Sequence, residues 1–241
     1  KPQNIEDITA LIALYRPGPM DSIPTYLRNR HEPDKISYKT PQLAHILDVT
    51  NGCIVYQEQV MQIFRELAGF SFGQADNVRR AMSKKKHAVM EAEREHFVHG
   101  CTEPGHECPG CVANGISEKV ANEIYDEMSS FASYAFNKSH AACYAYVAFQ
   151  TAYLKCHYPS EFMAALLTSV LDNTDKVIEY SGECARLGIK VLPPDVNISN
   201  GGFTADNGKI RFGLNAVKNV GRNLIERVVE ERKEKPYSSL Y

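Results

Sequence analysis

The stretch FNKSHAACYAYVAFQTAYLKCHYP, residues 136–159, decides the fold. It opens with polar and cationic residues, runs apolar for more than three turns and stops at a proline, which cannot continue a helix. Asn137 or Ser139 can cap the predicted helix, whose first N–H groups lie at the positive end of the helix dipole. Lys138 and His140 beside them favour a bound anion such as phosphate. An ordinary cap with a solvated lysine is the alternative.

Composition limits the classes of protein that the chain can represent. With 241 residues and 44% hydrophobic content, it can bury the core of one large or two small domains. The net charge of −2 means that any nucleic-acid surface is a local patch. The sequence has no long apolar run and no charged-then-apolar leader, which argues against membrane and secreted proteins. Seven cysteines, mostly isolated, suit a reducing cytosol, and we expect a cytoplasmic location.

The pattern of apolar residues predicts a mainly α fold. Helical spacing recurs from residue 5 to about residue 188, with one helix over Gln57–Leu67 that ends at Gly69. The character then changes, because Asn207-Gly208 between two short β-type runs predicts a hairpin. We therefore expect a helical domain over residues 1–190, then a linker, a β-hairpin and the start of a helix-hairpin-helix region over residues 191–241. Both ends look cut, which indicates a fragment of a longer protein.

A second group of cations lies in ADNVRRAMSKKKH, residues 75–87. At helical spacing its basic side chains stack on one side, opposite apolar positions. Like charges at this spacing repel, so a polyanion that neutralises them would stabilise the helix. A solvated charged face is the alternative. The candidate phosphate or DNA ligands are Arg79, Arg80, Lys84, Lys85 and Lys86.

Two further turns can present groups to an anion. In RPGPM, residues 16–20, the Pro-Gly corner is stiff and can hold Arg16 against an anion, or can merely end a helix. In VKNVG, residues 217–221, a glycine-containing turn between two predicted short helices resembles a helix-hairpin-helix contact with a DNA backbone. Its candidate DNA ligands are Lys218, Asn219 and Gly221, although short helical hairpins are common without DNA.

A cysteine-rich segment suggests a metal. Cys101, Cys108 and Cys111 lie within eleven residues, and three thiolates with one imidazole form a closed tetrahedral Zn²⁺ set. His106 is the preferred fourth ligand over the two other nearby histidines. Unliganded thiols are the main alternative, and a redox pair is less favoured because no strand–helix unit surrounds the motif.

No catalytic motif accompanies these candidate sites. The sequence has no Walker loop, no hydrolase serine elbow, no dinucleotide fingerprint and no evident aspartate pair for a two-metal site. The chain can therefore bind phosphate in several places but lacks evident machinery to break a bond.

Phrases along nearly the whole chain resemble those of one family, the bacterial C-family replicative DNA polymerases of the DNA polymerase III alpha-subunit type. They occur in the family's order: ALYRPGPMDSIPTYLRNRH, GCIVYQEQVMQI, ADNVRRAMSKKK, FNKSHAACYAYVAFQTAYLKCHYPSEFMAALLTSVLDN and LPPDVN. The resemblance implies that residues 1–190 are the fingers domain. It also implies that the palm, whose aspartates hold Mg²⁺, lies upstream, so the isolated fragment should be inactive.

The resemblance assigns roles by position. It implies that Arg79, Arg80, Lys138 and His140 contact the triphosphate of the incoming dNTP, while Arg16, a further candidate phosphate ligand, falls in a family motif. Tyr56, Gln57 and Tyr144 also fall in family motifs. The implied partners are primer-template DNA and dNTP. The full-length chain would also bind the sliding clamp and other replisome subunits, and no membrane partner is implied.

One segment departs from the family pattern. The family typically lacks TEPGHECPGC, residues 102–111, so this segment is an insertion whose expected role is to staple a loop through structural Zn²⁺. The competing interpretation of the whole chain is a non-catalytic, zinc-stapled DNA-binding module.

Overall fold

The computed structural model describes residues 1–84, 87–132 and 134–239 of the chain. The chain forms two compact units, Lys1–Val147 and Ala148–Tyr241. Helices dominate, and the only sheet among the described residues is small and lies in the second unit. The prediction of a mainly α fold is therefore confirmed. None of the described helices has both the length and the apolar character needed to cross a membrane.

The first unit is built from helices and short 3₁₀ turns. Its α-helices are α1 (Ile5–Leu14), α2 (Ile23–His31), α3 (Ala44–Leu47), α4 (Gln57–Ala68), α5 (Phe72–Ser83), α6 (His87–His99), α7 (Gly110–Ala113), α8 (Glu118–Ala132) and the start of α9 (Lys138–His157). Helix α9 contains the division between the two units.

Helix α4 is the central element of the first unit. Its side chains at positions i, i+3, i+4 and i+7 are fully buried, and they are Val60, Ile63, Phe64 and Leu67. The ring of Phe64 packs against Phe97 of α6 and Tyr125 of α8, with centroids 5.0 and 6.0 Å apart. Burial of this stripe fixes which face of α4 points inward, and so orients its first turn.

Buried polar bonds fix the start of α4. Gln59 Oε1 accepts hydrogen bonds from the backbone N–H groups of Val55 and Tyr56, both at 2.9 Å. Its amide donates to the Ile46 carbonyl at 3.0 Å and to Thr50 Oγ1 at 2.7 Å. Since an unpaired buried amide is costly, this complete pairing holds the start of the helix in one position.

A smaller core joins α1 and α2 to the starts of α4 and α9. It contains Leu14, Tyr26, Val55, Tyr56 and Ala141, all at most 4% exposed. The start of α9 is therefore anchored in the first unit beside the start of α4.

The second unit packs two helices against a three-stranded sheet. Its elements are α10 (Pro159–Ser169), α11 (Thr174–Arg186), α12 (Arg222–Glu231), β1 (Val191–Leu192), β2 (Thr204–Asp206) and β3 (Lys209–Arg211). The strand order is β1-β3-β2, with β1 parallel and β2 antiparallel to β3. The buried side chains between helices and sheet are Met163, Leu167, Val177, Cys184, Phe203 and Ile210.

The predicted hairpin forms at Asn207-Gly208. Both residues have positive φ angles, 49° and 75°, as a two-residue hairpin turn with the right twist requires. Ile210 pairs with Ala205 in β2 and with Val191 in β1. Strand β1 was not predicted from the sequence, because two residues are too few to show a periodicity.

Candidate functional site

The first turn of α4 contacts one residue from each of the two predicted cation groups. Arg79 Nη1 on α5 donates to Gln57 Oε1 at 3.0 Å. The backbone N–H of Lys138, at the start of α9, donates to both carboxylate oxygens of Glu58 at 3.1 and 3.0 Å. Two consecutive residues of α4 thus hold Arg79 and Lys138, which are far apart in the sequence.

Asp76 holds the arginine pair of α5. Its Oδ1 accepts from Arg79 Nε at 3.0 Å and Nη2 at 2.8 Å, and its Oδ2 lies 2.7 Å from Arg80 Nε. The Arg79 hydrogen bond is the main reason why the pKa of Asp76 lies below its usual value. The side chain of Arg79 is 20% exposed and that of Arg80 is 64% exposed. Arg79 therefore ties α5 to α4, whereas Arg80 reaches solvent.

The start of α9 already holds an anion, the Glu58 carboxylate. Besides the Lys138 N–H, this carboxylate accepts from Asn137 Nδ2 at 2.9 Å. Asn137 Oδ1 in turn accepts from the His140 N–H at 2.8 Å, as expected of a cap. The expected attraction between a helix start and an anion is present, but the group bound there comes from the chain itself.

The ammonium of Lys138 has two neighbours. Its Nζ lies 3.3 Å from Glu6 Oε2 and 5.5 Å from the centroid of the Tyr56 ring. Tyr56 is 1% exposed, and burial raises the pKa of its hydroxyl. That buried hydroxyl has no hydrogen-bond partner among the described residues. A rigid aromatic surface and one carboxylate therefore fix the position of the lysine.

Arg16 joins the corner that follows it, Pro17-Gly18, to the segment before α9. Its Nε donates to the Ala13 carbonyl at 2.9 Å, its Nη2 donates to the Tyr134 carbonyl at 2.5 Å, and its guanidinium lies 4.4 Å from the Phe136 ring centroid. Burial lowers the pKa of this guanidinium. Gly18 has a φ of +98°, and a Cβ there would lie 2.6 Å from the Tyr134 ring. The corner is therefore stiff, as predicted.

The remaining candidates of the first unit lie at the surface. The His140 ring is 5.4 Å from the Phe136 ring and 4.8 Å from the Tyr144 ring, and Tyr144 is 56% exposed. Lys84 is exposed at the end of α5. The predicted ligands Lys85 and Lys86 lie outside the described residues.

The turn at residues 217–221 belongs to the second unit. Lys218 and Asn219 are exposed, Asn219 has a φ of +67°, and Gly221 is the N-cap of α12. The short helix before the turn is a 3₁₀ helix, Leu214–Ala216. Glycine at the cap leaves the first N–H groups of α12 without a side-chain partner of their own.

The predicted zinc set does not assemble, which corrects the sequence-based expectation. Cys101 and Cys108 face each other in a two-residue bridge with both backbone hydrogen bonds at 2.9 Å. Cys108 Sγ donates to the His96 carbonyl at 3.5 Å, and Cys111 is fully buried in the apolar core. Burial raises the pKa of both thiols, that of Cys111 to about 12. Over residues 1–84, 87–132 and 134–239, no group of three or more His, Cys, Asp or Glu side chains, His106 included, is placed to hold a metal.

Close packing, rather than metal binding, explains the Cys-Pro-Gly-Cys turn. A Cβ on Gly69 would lie 2.5 Å from Pro109, and a Cβ on Gly110 would lie 2.3 Å from the Gly100 backbone nitrogen. All three glycines have positive φ angles. The motif lets two backbones approach while its cysteines fill the core beneath them.

Sequence reasoning missed the acidic residues of the site. Three acidic residues contact the predicted cationic residues. Glu6 and Glu58 reach Lys138 only in the folded chain, whereas Asp76 lies one helical turn before the two arginines. Asp76 had a local signal, because it precedes the two arginines by three and four residues on one helix. The partners of Glu6 and Glu58 are about 130 and 80 residues away, beyond any local pattern.

Comparisons with known proteins agree with the sequence resemblance. Residues 1–105 match the family described as the bacterial DNA polymerase III alpha subunit finger domain, and residues 188–241 match a helix-hairpin-helix motif. Over its whole length the chain is 46% identical to the DNA polymerase III subunit alpha of Bacillus subtilis (strain 168) and 48% identical to those of Thermus aquaticus and Chlamydia trachomatis serovar D. The chain spans about a fifth of the length of these curated relatives, 21%, 19% and 19%.

Proposed function

Because this chain belongs to the bacterial DNA polymerase III alpha-subunit family, we propose that it acts as the fingers part of a replicative DNA-directed DNA polymerase. In this role it binds the triphosphate of the incoming dNTP and the primer-template DNA. The observation that supports nucleotide binding is that Arg79 and the backbone of Lys138 contact consecutive residues, Gln57 and Glu58, in the first turn of α4.

The exposed cations are the proposed phosphate ligands. Phosphoryl transfer asks mainly for positioning and for positive charge around the phosphates. The Arg80 guanidinium, 64% exposed, offers the fork that matches phosphate oxygens, and the Lys138 ammonium offers a point charge. Arg79 sets the position of α5, and Arg16 sets the segment that leads into α9. His140, one residue beyond Ser139 on the first turn of α9, is a further proposed contact.

Metal-dependent chemistry is not assigned to this chain. Polymerases of this kind imply Mg²⁺, yet the described residues form no metal-binding group. The contribution that we propose for the chain is therefore binding and charge neutralisation, with the bond-forming groups supplied by the palm of the longer polymerase.

The second unit is the proposed contact with the DNA backbone. The match of residues 188–241 to a helix-hairpin-helix motif supports it, and the exposed turn offers Lys218, Asn219 and Gly221. Backbone N–H groups at the start of α12 suit a phosphate oxygen. Lys84 of the first unit is a proposed DNA ligand as well, as are Lys85 and Lys86, which lie outside the described residues.

The wider assignments are also proposals. We assign residues 1–190 to the fingers domain and residues 191–241 to the linker, hairpin and helix-hairpin-helix start. A cytoplasmic location follows from a role in chromosome replication. Contacts with a sliding clamp and other replisome subunits are assigned to other parts of the longer polymerase.

A non-catalytic DNA-binding module, without zinc, is the second candidate function, and the helix-hairpin-helix match favours it.

Steady-state kinetics of the complete polymerase test the proposal. Lys138→Gln and Arg80→Gln each remove one proposed charge-assisted contact, so each should raise the KM for dNTP by about tenfold or more and lower kcat. Lys119→Gln, which removes an exposed charge on α8, is the control and should change neither constant. Unchanged constants for both test variants at saturating primer-template would contradict nucleotide binding. DNA binding that is insensitive to nucleotide would then favour the DNA-binding module.

A further inference from the structure

Two carboxylates surround Lys138, and they are held very differently. Glu58 is tied to the backbone N–H of Lys138 and to the Asn137 amide by three hydrogen-bond contacts of 2.9 to 3.1 Å. Glu6 Oε2 forms an ion pair with the Lys138 ammonium, at 3.3 Å. Within the described residues this oxygen is buried and has no hydrogen-bond partner, so the contact is an ion pair without hydrogen-bond alignment.

The weaker carboxylate is therefore the exchangeable one. Although the contacting oxygen of Glu6 is buried, the side chains of Lys138 and Glu6 are 35% and 46% exposed as a whole, so solvent partly screens the pair. Both carboxylates lie in the first turn of a helix, Glu6 in α1 and Glu58 in α4, but Glu58 also accepts from the start of a second helix, α9. Breaking the Glu58 contacts would unpair backbone groups, whereas breaking the Glu6 contact would not.

Lys138 keeps its position when Glu6 moves away. Its Nζ lies 5.5 Å from the centroid of the Tyr56 ring, a distance within cation–π range. Tyr56 is almost fully buried, and its backbone N–H is bonded to Gln59 at 2.9 Å. The ring is thus a fixed surface under the ammonium, held by core packing and by its own backbone rather than by the Glu6 side chain.

We propose that Glu6 is an internal counter-ion of Lys138, which occupies the ammonium in the nucleotide-free protein and yields it to a phosphate of the incoming nucleotide. This inference rests on the proposed function of Lys138. A phosphate that approaches the ammonium meets a like charge in Glu6, and this repulsion raises the cost of binding. Glu6 accordingly lowers the affinity for the nucleotide. Because a phosphate must displace the Glu6 carboxylate from Lys138, ligands of high negative charge are favoured.

The test uses the complete polymerase with Glu6→Gln. The KM for dNTP should fall by about two- to fivefold, the range that corresponds to a solvent-screened ion pair, while kcat stays within about twofold. The fall should shrink as ionic strength rises. Glu6→Asp keeps the charge and should stay closer to the wild-type KM. Glu123→Gln, which removes an exposed carboxylate of α8, is the matched control and should leave KM unchanged.

Pairing with Lys138→Gln separates the two levels of the proposal. In that background Glu6→Gln should have no further effect on KM, because the ammonium for which Glu6 competes is gone. If Lys138→Gln raises KM but Glu6→Gln fails to lower it, the counter-ion role is overturned and nucleotide binding by Lys138 stands. A fall in kcat or melting temperature without a fall in KM would show a merely structural role for Glu6 and would overturn the inference. An unchanged KM in Lys138→Gln overturns both.

Discussion

Glu58 and Lys138 join the starts of two helices, because both oxygens of the Glu58 carboxylate accept the Lys138 backbone N–H. Two helix starts that face each other repel through their dipoles, and a shared carboxylate removes that repulsion. The contact fixes the position of α9 relative to α4, and it thereby also fixes the position of Lys138.

Loss of the Glu58 charge should destabilise the protein. Glu58→Gln leaves one oxygen to accept and turns an NH₂ group towards the start of α9. We expect the free energy of unfolding to fall by about 1–3 kcal/mol, as for lost hydrogen bonds to a charged group. Urea unfolding followed by circular dichroism measures this change.

Glu91→Gln is the control for Glu58→Gln. The Glu91 side chain is 80% exposed, and its oxygen lies 3.9 Å from Arg94 Nε, so its loss should change the free energy of unfolding by less than about 0.5 kcal/mol. Equal effects of the two variants would contradict a special role of Glu58.

Gly18 should not tolerate a side chain. Gly18→Ala places a Cβ 2.6 Å from the Tyr134 ring at a φ of +98°, and we expect a loss of about 1–3 kcal/mol in the free energy of unfolding. Gly73→Ala, in the first turn of α5 with open space around the new Cβ, should be neutral or stabilising by up to about 1 kcal/mol. Chemical unfolding of both variants makes the comparison, and similar losses would refute the interlock between Gly18 and Tyr134.

The buried thiol of Cys111 should make stability fall at alkaline pH. Burial raises its pKa from 9.0 to about 12, so between these values the unfolded chain releases a proton that the folded protein retains. The free energy of unfolding therefore decreases with rising pH, by up to about 1.4 kcal/mol per pH unit for this group. Cys53, whose pKa is raised to about 11, adds to the same trend.

Unfolding at several pH values from about 9 to 11 tests the Cys111 contribution. Cys111→Ala should reduce the slope of unfolding free energy against pH, even though it lowers stability at neutral pH by leaving a cavity. Cys143→Ala, which removes an exposed thiol, serves as the control. A slope that is the same in both variants would exclude Cys111 as its source.

Added zinc or a chelator should leave the melting temperature of the wild-type protein unchanged.

The exposed turn of the second unit should contribute salt-dependent DNA binding. Lys218→Gln in the complete polymerase should weaken duplex binding about equally for all sequences. It should also reduce the slope of log K against log salt by about 1, as the loss of one phosphate contact does. Lys235→Gln, an exposed lysine after α12, is the control. An unaltered salt slope in Lys218→Gln would remove this turn from the DNA interface.

Local signals in the sequence were enough for the helices and the hairpin. The start of α4 at Gln57, its glycine cap at Gly69 and the turn at Asn207-Gly208 are where periodicity and turn chemistry place them. The β-type runs in the sequence, Phe203–Ala205 and Ile210–Phe212, predict the strands to within one residue, since the hairpin strands begin at Thr204 and end at Arg211. Such features depend on neighbours in the chain, so a local pattern records them.

The site was less accessible to sequence reasoning, because its partners meet only in the folded chain. The cations were found by their density and by resemblance, whereas nothing local indicates that Glu58 caps α9. The cysteines show the opposite error. Their spacing suggests a metal, but burial of Cys111 and backbone pairing of Cys101 with Cys108 give them another role. Burial by distant helices cannot be inferred from spacing alone.

The cysteine-rich loop has a tight neck and an open tip. Its neck, Cys101 with Cys108, is closed by paired backbones and lies against glycines that admit no side chain. At its tip, Gly105 has no atom within 4 Å of where a side chain would begin, and residues 102–107 are exposed. Chain length can therefore vary at the tip without disturbing the packing below. An affinity tag or a fluorescent label inserted there would mark the polymerase without disturbing the packing of the neck.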